Sequence, residues 1–328
     1  MPETVLEVDD VSKSFRARGV FSKPVRAVAG ASFSLHRGET LGLVGESGCG
    51  KSTLARLVLH LIEPDAGRVV IDGADFTGAL VGDRRRLRRR IQIVFQDALS
   101  SLNPRMTVGV NIAEPMRLQG IGGAAERRGA ARELLGLVGL RAGDEDRYPH
   151  EFSGGQCQRI AIARALILRP DIIVFDEAVS ALDVSIRAQI LRLILDLQQR
   201  LALSYVFISH DLGVVKRVSD RIAVMYLGRI VEIGPADELV RAPLHPYTDA
   251  LLRAIPIADP RRMRVRDLGL AEGEAASPRD APNGCPFHQR CPRRMPRCAT
   301  QRPLLAEITP THSTACFLHT EASERTAA

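Results

Sequence analysis

Residues 45–53 read Gly45-Glu46-Ser47-Gly48-Cys49-Gly50-Lys51-Ser52-Thr53, a G-x-x-x-x-G-K-[ST] stretch of the kind that wraps phosphates. Its glycines let the backbone turn N–H groups inward, and a helix starting there adds its positive end. Lys51 would then reach the β- and γ-phosphates as a point charge, and Ser52 would offer its hydroxyl to Mg²⁺. The chain has four lysines (Lys13, Lys23, Lys51, Lys216) among 45 basic residues, yet the loop holds lysine rather than arginine. A second constellation is Asp176-Glu177, where one carboxylate can hold the Mg²⁺ shell and the next can orient and deprotonate an attacking water. We assign Asp176 to the metal and Glu177 to the water.

These residues need rigid elements behind them. The apolar run Thr40 to Val44 predicts a buried parallel strand before the loop, and Ser52 to Leu61 has the apolar spacing of the following helix. Ile172-Ile173-Val174-Phe175 predicts a strand ending at Asp176. Ile91 to Phe95 leads to Gln96, and Tyr205 to Ser209 leads to His210. Open α/β sheets bind ligands at the carboxyl ends of their strands, so Gln96 and His210 should point at a nucleotide. The bland alternative for His210 is a helix cap before Asp211. Ser153-Gly154-Gly155-Gln156 opens an apolar helical stretch, Ile160 to Leu168, whose N-terminus is another anion site.

Along the chain, residues 1–90 read as an antiparallel β portion around the phosphate-loop strand. Residues from about 97 to 168 are rich in helix signals, notably Ala124 to Leu140, and predict an inserted helical subdomain. From 170 to 235 strands and helices alternate as in a parallel sheet. Ile186, Ile190, Leu193, Ile194, Leu197 and Leu201 form a helical stripe that reads as core. Residues 259–284 read as a polar linker, and 322–328 as a disordered tail.

The ordered set Gly45–Thr53, Gln96, Phe152-Ser153-Gly154-Gly155-Gln156, Asp176-Glu177, Ser180-Ala181-Leu182-Asp183 and His210 resembles the nucleotide-binding domain of ABC transporters. The resemblance implies a P-loop NTPase of α/β class: a parallel-sheet core, an antiparallel β subdomain, an inserted helical subdomain and a small C-terminal extension containing cysteines. It also implies roles. Phe15 falls where an aromatic stacks on adenine, and Gln96 where a loop senses Mg²⁺ and touches the membrane partner. Ser153, Gly154, Gly155 and Gln156 match the signature that closes on the γ-phosphate of the opposite subunit. Asp183 matches the loop crossing the dimer interface, and His210 the switch contacting the γ-phosphate. One departure is Ala178, where the family usually has proline; it loosens the backbone after Glu177 but removes no donor or acceptor.

Val44 to Lys51, Ser101-Leu102-Asn103-Pro104-Arg105, Tyr148-Pro149-His150 and Leu244-His245-Pro246-Tyr247 narrow the resemblance. They are similar to the oligopeptide/dipeptide (and nickel) importers, and within these to the F-type subunit, one of two non-identical ATPases. That likeness covers nearly the whole chain. It implies residues 1–240 as the nucleotide-binding domain and 241–328 as the importer extension. It also implies a second ATPase subunit, two transmembrane permease subunits and, indirectly, an extracytoplasmic substrate-binding protein. Peptide import is the leading expectation; nickel or another small solute is an alternative. A soluble ABC ATPase acting on ribosomes or DNA is a third reading, but such proteins carry tandem ATPase domains or a coiled-coil insertion that this chain lacks.

Composition sets bounds. With 328 residues, 45% of them hydrophobic, the chain supports a large core plus an appendage. Met1 to Asp10 shows no signal-peptide pattern, and no apolar run approaches the roughly 18 residues a membrane span needs. The expected location is therefore peripheral, on the cytoplasmic face of the membrane. Trp is absent and aromatics are 4%, poor material for stacking bases, and no nucleic-acid partner is expected. The net charge of +7 includes the block Arg84-Arg85-Arg86-Leu87-Arg88-Arg89-Arg90, read as a solvated connector, with contact to anionic lipid or nucleic acid as alternatives.

Six cysteines divide unevenly. Cys49 and Cys157 read as small packing residues. Cys285, Cys291, Cys298 and Cys316 cluster near the C-terminus at spacings that are neither zinc-ribbon nor ferredoxin patterns. Pro286 and Pro292 follow two of them. A [4Fe–4S] cluster is the reading the importer resemblance favours, with zinc and unligated thiols as alternatives. Because these cysteines lie outside every nucleotide motif, ATP binding is expected to survive whatever they hold.

Overall fold

The computed structural model describes residues 3–16, 24–254 and 282–319. The linker expected at 259–284 lies almost wholly outside these, as does the C-terminal tail. In chain order the elements begin with β1 (Thr4–Phe15), β2 (Val25–His36), β3 (Thr40–Val44), α1 (Lys51–Val58), β4 (Ala66–Ile71) and β5 (Ala74–Asp75). Then come α2 (Val81–Arg90), β6 (Ile91–Val94), α3 (Ala98–Ser101), α4 (Val108–Leu118), α5 (Ala124–Leu137), α6 (Gly154–Leu166), β7 (Ile172–Asp176) and α7 (Val184–Leu201). The chain continues through β8 (Ser204–Ile208), α8 (Leu212–Val218), β9 (Arg221–Tyr226), β10 (Arg229–Pro235), α9 (Ala236–Arg241) and α10 (Pro246–Arg253). It ends in α11 (Arg297–Thr300), β11 (Ala306–Thr309) and β12 (His312–Thr314). A four-stranded sheet runs in the order β2-β1-β4-β5.

Internal contacts divide the chain into two units. The first comprises Met1–Leu6, Ser34–Thr40 and Val70–Ile208. Its centre is the parallel trio β6-β7-β8, in register Val94↔Phe175 and Asp176↔Ile208. Every residue of β7 and β8 is buried, the pattern of strands covered on both faces. Tyr205 packs edge-on to Phe175 at 5.0 Å and donates its hydroxyl to Ile194 O at 3.1 Å, joining α7 to the sheet. The α7 stripe is core at Ile190, Ile194 and Leu197. It stops there: Leu201, expected inside, is 44% exposed in the last turn. Helices α3 to α6 follow one another between β6 and β7 and pack on each other, α6 buried through Cys157, Ile160 and Ile162.

The arginine block, read as a solvated connector, is the helix α2: Arg85, Arg86 and Arg88 are exposed, while several of its side chains are also tied down within this unit. Arg85 and Arg89 both reach Gln119 Oε1, and Arg90 donates to Asp171 (2.7 Å) and Asp72 (2.6 Å). The charge run thus holds β6 and the helical insertion in place, a use that composition alone does not reveal.

The second unit comprises Glu7–Phe33, Leu41–Val69 and Ser209–Ala328. Here β3 pairs parallel with β9 (Leu43↔Ala223, Val44↔Val224). The sheet then turns antiparallel, which the reading of 170–235 as purely parallel did not anticipate. Leu227 and Gly228, at φ 44° and 79°, form the two-residue turn between β9 and β10. Strand β12 pairs antiparallel with β10 (Glu232↔Thr314), and β11 with β12. The extension is therefore built into this sheet. Its anchor is Glu232, fully buried, whose carboxylate accepts from Leu244 N–H (2.8 Å), His245 N–H (2.9 Å) and His312 Nε2 (2.8 Å). Burial opposes protonation of His312, but Glu232 and then Glu238 raise its pKa overall.

Candidate functional site

In the second unit the phosphate loop leaves the buried strand β3 and enters α1. Gly50, the cap of α1, sits at φ 108°, and a Cβ there would lie 2.1 Å from Ala27 O. A Cβ on Gly45 would lie 2.2 Å from Met225 O. Both positions therefore require glycine, because the backbone of β2 and of β9 closes on the loop. Lys51 is 4% exposed, and its Nζ donates to Gly45 O at 2.8 Å and Glu46 O at 2.9 Å. The lysine thus spans the loop from within. Cys49 is buried beside it, and burial raises its thiol pKa. His210 is exposed and stands next to Ser209, whose N–H donates to Leu43 O, so it lies at the carboxyl end of β3 near the loop. The cap of α8 is Asp211, not His210, since Asp211 accepts from Val214 N–H. Phe15 closes β1 and is 42% exposed.

In the first unit the carboxyl ends of β6 and β7 are level, so Gln96, Asp176 and Glu177 emerge at one end of the parallel trio. Asp176 is buried and Gln96 exposed. Glu177 holds a left-handed backbone (φ 51°), unusual for a residue with a Cβ. It is pinned there: its N–H donates to Ile208 O (3.0 Å), and its carbonyl accepts from Ser180 N–H (3.1 Å) and Ser180 Oγ (2.8 Å). These bonds, with Ala178 buried in the same turn, fix the backbone that proline would otherwise stiffen. Such strain, where a side chain is aimed by its surroundings, clusters at functional positions.

Ser153 caps α6. Its Oγ accepts from Gln156 N–H (3.4 Å) while Gln156 Oε1 accepts from Ser153 N–H (2.9 Å), a reciprocal capping box. Gly154 is exposed, and a Cβ on Gly155 would meet Ile186 Cγ2 at 2.5 Å. The signature glycine is therefore packed on the start of α7. Asp183, at the head of α7, is exposed. Sequence reasoning missed Asn111 and Arg164. Buried Asn111 accepts from Asn103 N–H (2.7 Å) and donates to Asn103 O (3.0 Å), and Arg164 holds Ser101 Oγ at 3.1 Å. Together they shape the Ser101–Arg105 loop; a buried asparagine in an apolar helix was the available signal.

All four C-terminal cysteines are buried, none is in a disulfide, and they line one small cavity with Phe287 and His288. Burial raises the Cys285 thiol to about 12 and the Cys316 thiol to about 11, with the neighbouring cysteines adding to both. Among the described residues no group of three or more His, Cys, Asp or Glu side chains is arranged to hold a metal ion. The cysteine segment is not isolated from the nucleotide motifs, as its position in the sequence suggested. Arg290, beside Cys291, makes a bidentate pair with Glu46 of the phosphate loop, both bonds 3.0 Å. Tyr247 is the second link, since its hydroxyl oxygen accepts from Glu46 N–H at 2.9 Å. The Leu244-His245-Pro246-Tyr247 motif acquires a purpose here. His245 Nδ1 accepts from Tyr247 N–H (3.0 Å) and caps α10, and complete burial lowers its pKa to about 4, keeping the acceptor neutral.

A phosphate loop on a buried parallel strand, an acidic pair at a strand end and a capped glycine signature define an ABC-type ATPase. Comparison with known proteins agrees. Residues 28–180 match the ABC transporter family, and residues 231–298 match the oligopeptide/dipeptide transporter C-terminal region. The chain is 48% identical to the oligopeptide transport ATP-binding protein AppF of Bacillus subtilis over 97% of its length and 98% of that protein. It is 51% identical to OppF of Salmonella typhimurium, over 90% of this chain and 88% of that one. Among solved structures, the dimeric ATP-binding cassette MJ0796 bound to ADP and Pi superimposes with a TM-score of 0.63 at 29% identity, covering 70% of this chain and 98% of that one. The chain belongs to the ATP-binding subunits of ABC transporters, in the oligopeptide/dipeptide branch. It is an ATPase of that family.

Proposed function

We propose that this chain energises import of peptides across the cytoplasmic membrane, from a peripheral position on its cytoplasmic face. The observation that carries the reading is the extension that matches oligopeptide/dipeptide transporters and is hydrogen-bonded into the same unit as the phosphate loop. No helix among the described residues is long and apolar enough to cross a membrane. Two permease subunits, the partners the importer family implies, carry the solute. An extracytoplasmic binding protein delivers the peptide, and a second, non-identical ATPase completes the assembly.

In that assembly Lys51 exchanges its loop carbonyls for the β- and γ-phosphates of ATP, with the backbone of residues 45–53 as the cradle. Phe15 stacks on the adenine. Ser52, Asp176 and Gln96 would hold Mg²⁺, which would supply positive charge against the phosphates. Glu177 orients and deprotonates the attacking water, and His210 contacts the γ-phosphate. Ser153 and Gly155, at the N-terminus of α6, close on the γ-phosphate bound by the partner ATPase, with Gly154 and Gln156 shaping that turn and Asp183 crossing the interface. Reconstitution of the chain with its neighbouring permease and ATPase subunits in vesicles tests the reading. ATP hydrolysis should rise when a peptide-loaded binding protein is added, and labelled peptide should accumulate inside. Stimulation by nickel and not by peptide would redirect the assignment to metal import, and co-purification with nucleic acid in place of permeases would overturn it.

The four cysteines are the donor set of a [4Fe–4S] centre. Their burial and shared cavity support this. The cavity they line is about 10 Å³, and among the described residues no three of these side chains are arranged to hold a metal ion. Protein produced and purified without oxygen should be brown, contain iron, and lose its colour in the Cys291→Ser variant. Zinc without iron under the same handling would replace the cluster by a structural zinc, and absence of both would leave unligated thiols.

A further inference from the structure

The phosphate loop opens with a carboxylate. Glu46 follows Gly45, and an unneutralised negative charge there repels the phosphates that the loop must hold. The charge that meets it comes from 244 residues away. Arg290 places Nη1 and Nη2 on Glu46 Oε2 and Oε1, 3.0 Å each, a fork geometry that fixes direction as well as charge. Arg290 itself is held on three sides. Its N–H donates to Phe287 O (3.0 Å), its guanidinium lies 6.0 Å over the Tyr226 ring, and Nη1 also reaches Tyr226 Oη (3.4 Å). Phe287, Tyr226 and Tyr247 form one aromatic cluster, with Tyr226 and Tyr247 4.5 Å apart and Phe287 5.4 Å from each. The turn that carries Arg290 runs from Cys285 to Cys291 and starts from Cys285 N–H donating to Cys298 O (2.8 Å). At the other end of the path, the Glu46 carbonyl accepts from Lys51 Nζ.

We infer that Arg290, seconded by Tyr247, is a positioning residue of the phosphate loop, through which the four-cysteine segment sets the affinity for MgATP. Arg290 touches no substrate in this account; it neutralises and orients Glu46, which in turn sets the carbonyl on which Lys51 rests. The inference stands on residues 45–53 holding the phosphates. The link requires no particular occupant of the cysteine cavity, because any change that displaces the Cys285–Cys291 turn displaces Arg290.

The test is MgATP titration of the full-length chain by calorimetry. Arg290→Ala should weaken binding about tenfold, the size of a coupled, partly buried charge pair. Arg290→Lys should recover only part, because it keeps the charge and loses the fork. The decisive arm is Glu46→Gln combined with Arg290→Ala, which should bind several-fold more tightly than Arg290→Ala alone, since no charge is left to neutralise. A merely structural arginine would show no such rescue. Cys291→Ser should weaken binding in the wild-type background and add nothing in the Arg290→Ala background. Wild-type affinity in Arg290→Ala, failure of the double variant to recover, or an equal effect of Cys291→Ser in both backgrounds would overturn the inference. Lys51→Ala is the separate control: if it bound MgATP normally, the phosphate-loop reading itself would fall, whatever Arg290 does.

Discussion

Glu177→Gln should bind MgATP nearly as the wild type does and turn it over about 10²–10⁴-fold more slowly, the range a positioned general base supplies. The amide keeps the shape of the side chain and the turn that aims it. That turn is made by the backbone, through Glu177 N–H to Ile208 O and Ser180 to Glu177 O, so it survives the substitution. What is lost is the acceptor for the proton of the attacking water. Lys51→Ala should give the opposite split, a loss of binding, because the group removed is the charge that meets the phosphates. Equilibrium binding and single-turnover hydrolysis of the two variants separate these outcomes. Wild-type hydrolysis by Glu177→Gln would remove Glu177 from the role of base and leave its strained backbone without a purpose.

Local chemistry was the legible part of this chain. The phosphate loop could be read because its residue types and spacing form a motif within nine residues, although the backbone that crowds its glycines, Ala27 O and Met225 O, lies far away in the sequence. The strands β3, β7 and β8 could be read because burial on both faces leaves uninterrupted apolar runs. The signature announced its own helix through the Ser153–Gln156 capping box. Long-range pairings were not legible. Nothing near Glu46 in sequence announces Arg290, and Tyr247 resembled a family motif without any hint that its hydroxyl oxygen accepts from a loop amide. The contacts of the arginine block were hidden for the same reason: its partners Asp72, Asp171 and the adjacent Leu118 and Gln119 come from three separate places. Leu201 shows the converse limit, since helical period predicts a face but not where the neighbouring core ends.

The central claim is that this chain is half of a pair of shared ATP sites. Ser153 and Gly155 sit at the exposed N-terminus of α6 and belong, in this account, to the partner's γ-phosphate. Ser153→Arg should therefore abolish hydrolysis at the partner's phosphate loop by placing bulk where that phosphate must sit, and spare the site built on Lys51. Alone, the chain should bind MgATP and hydrolyse it slowly. The direct measurement uses two mixed assemblies with the permeases and the second ATPase. In one, Ser153→Arg here is combined with loss of the phosphate-loop lysine in the partner, which confines both lesions to one site. In the other, Ser153→Arg and Lys51→Ala are both in this chain, which strikes both sites. The first assembly should keep the ATPase activity of its intact site and the second should lose all of it. Equal activity in the two would contradict sites shared across the interface.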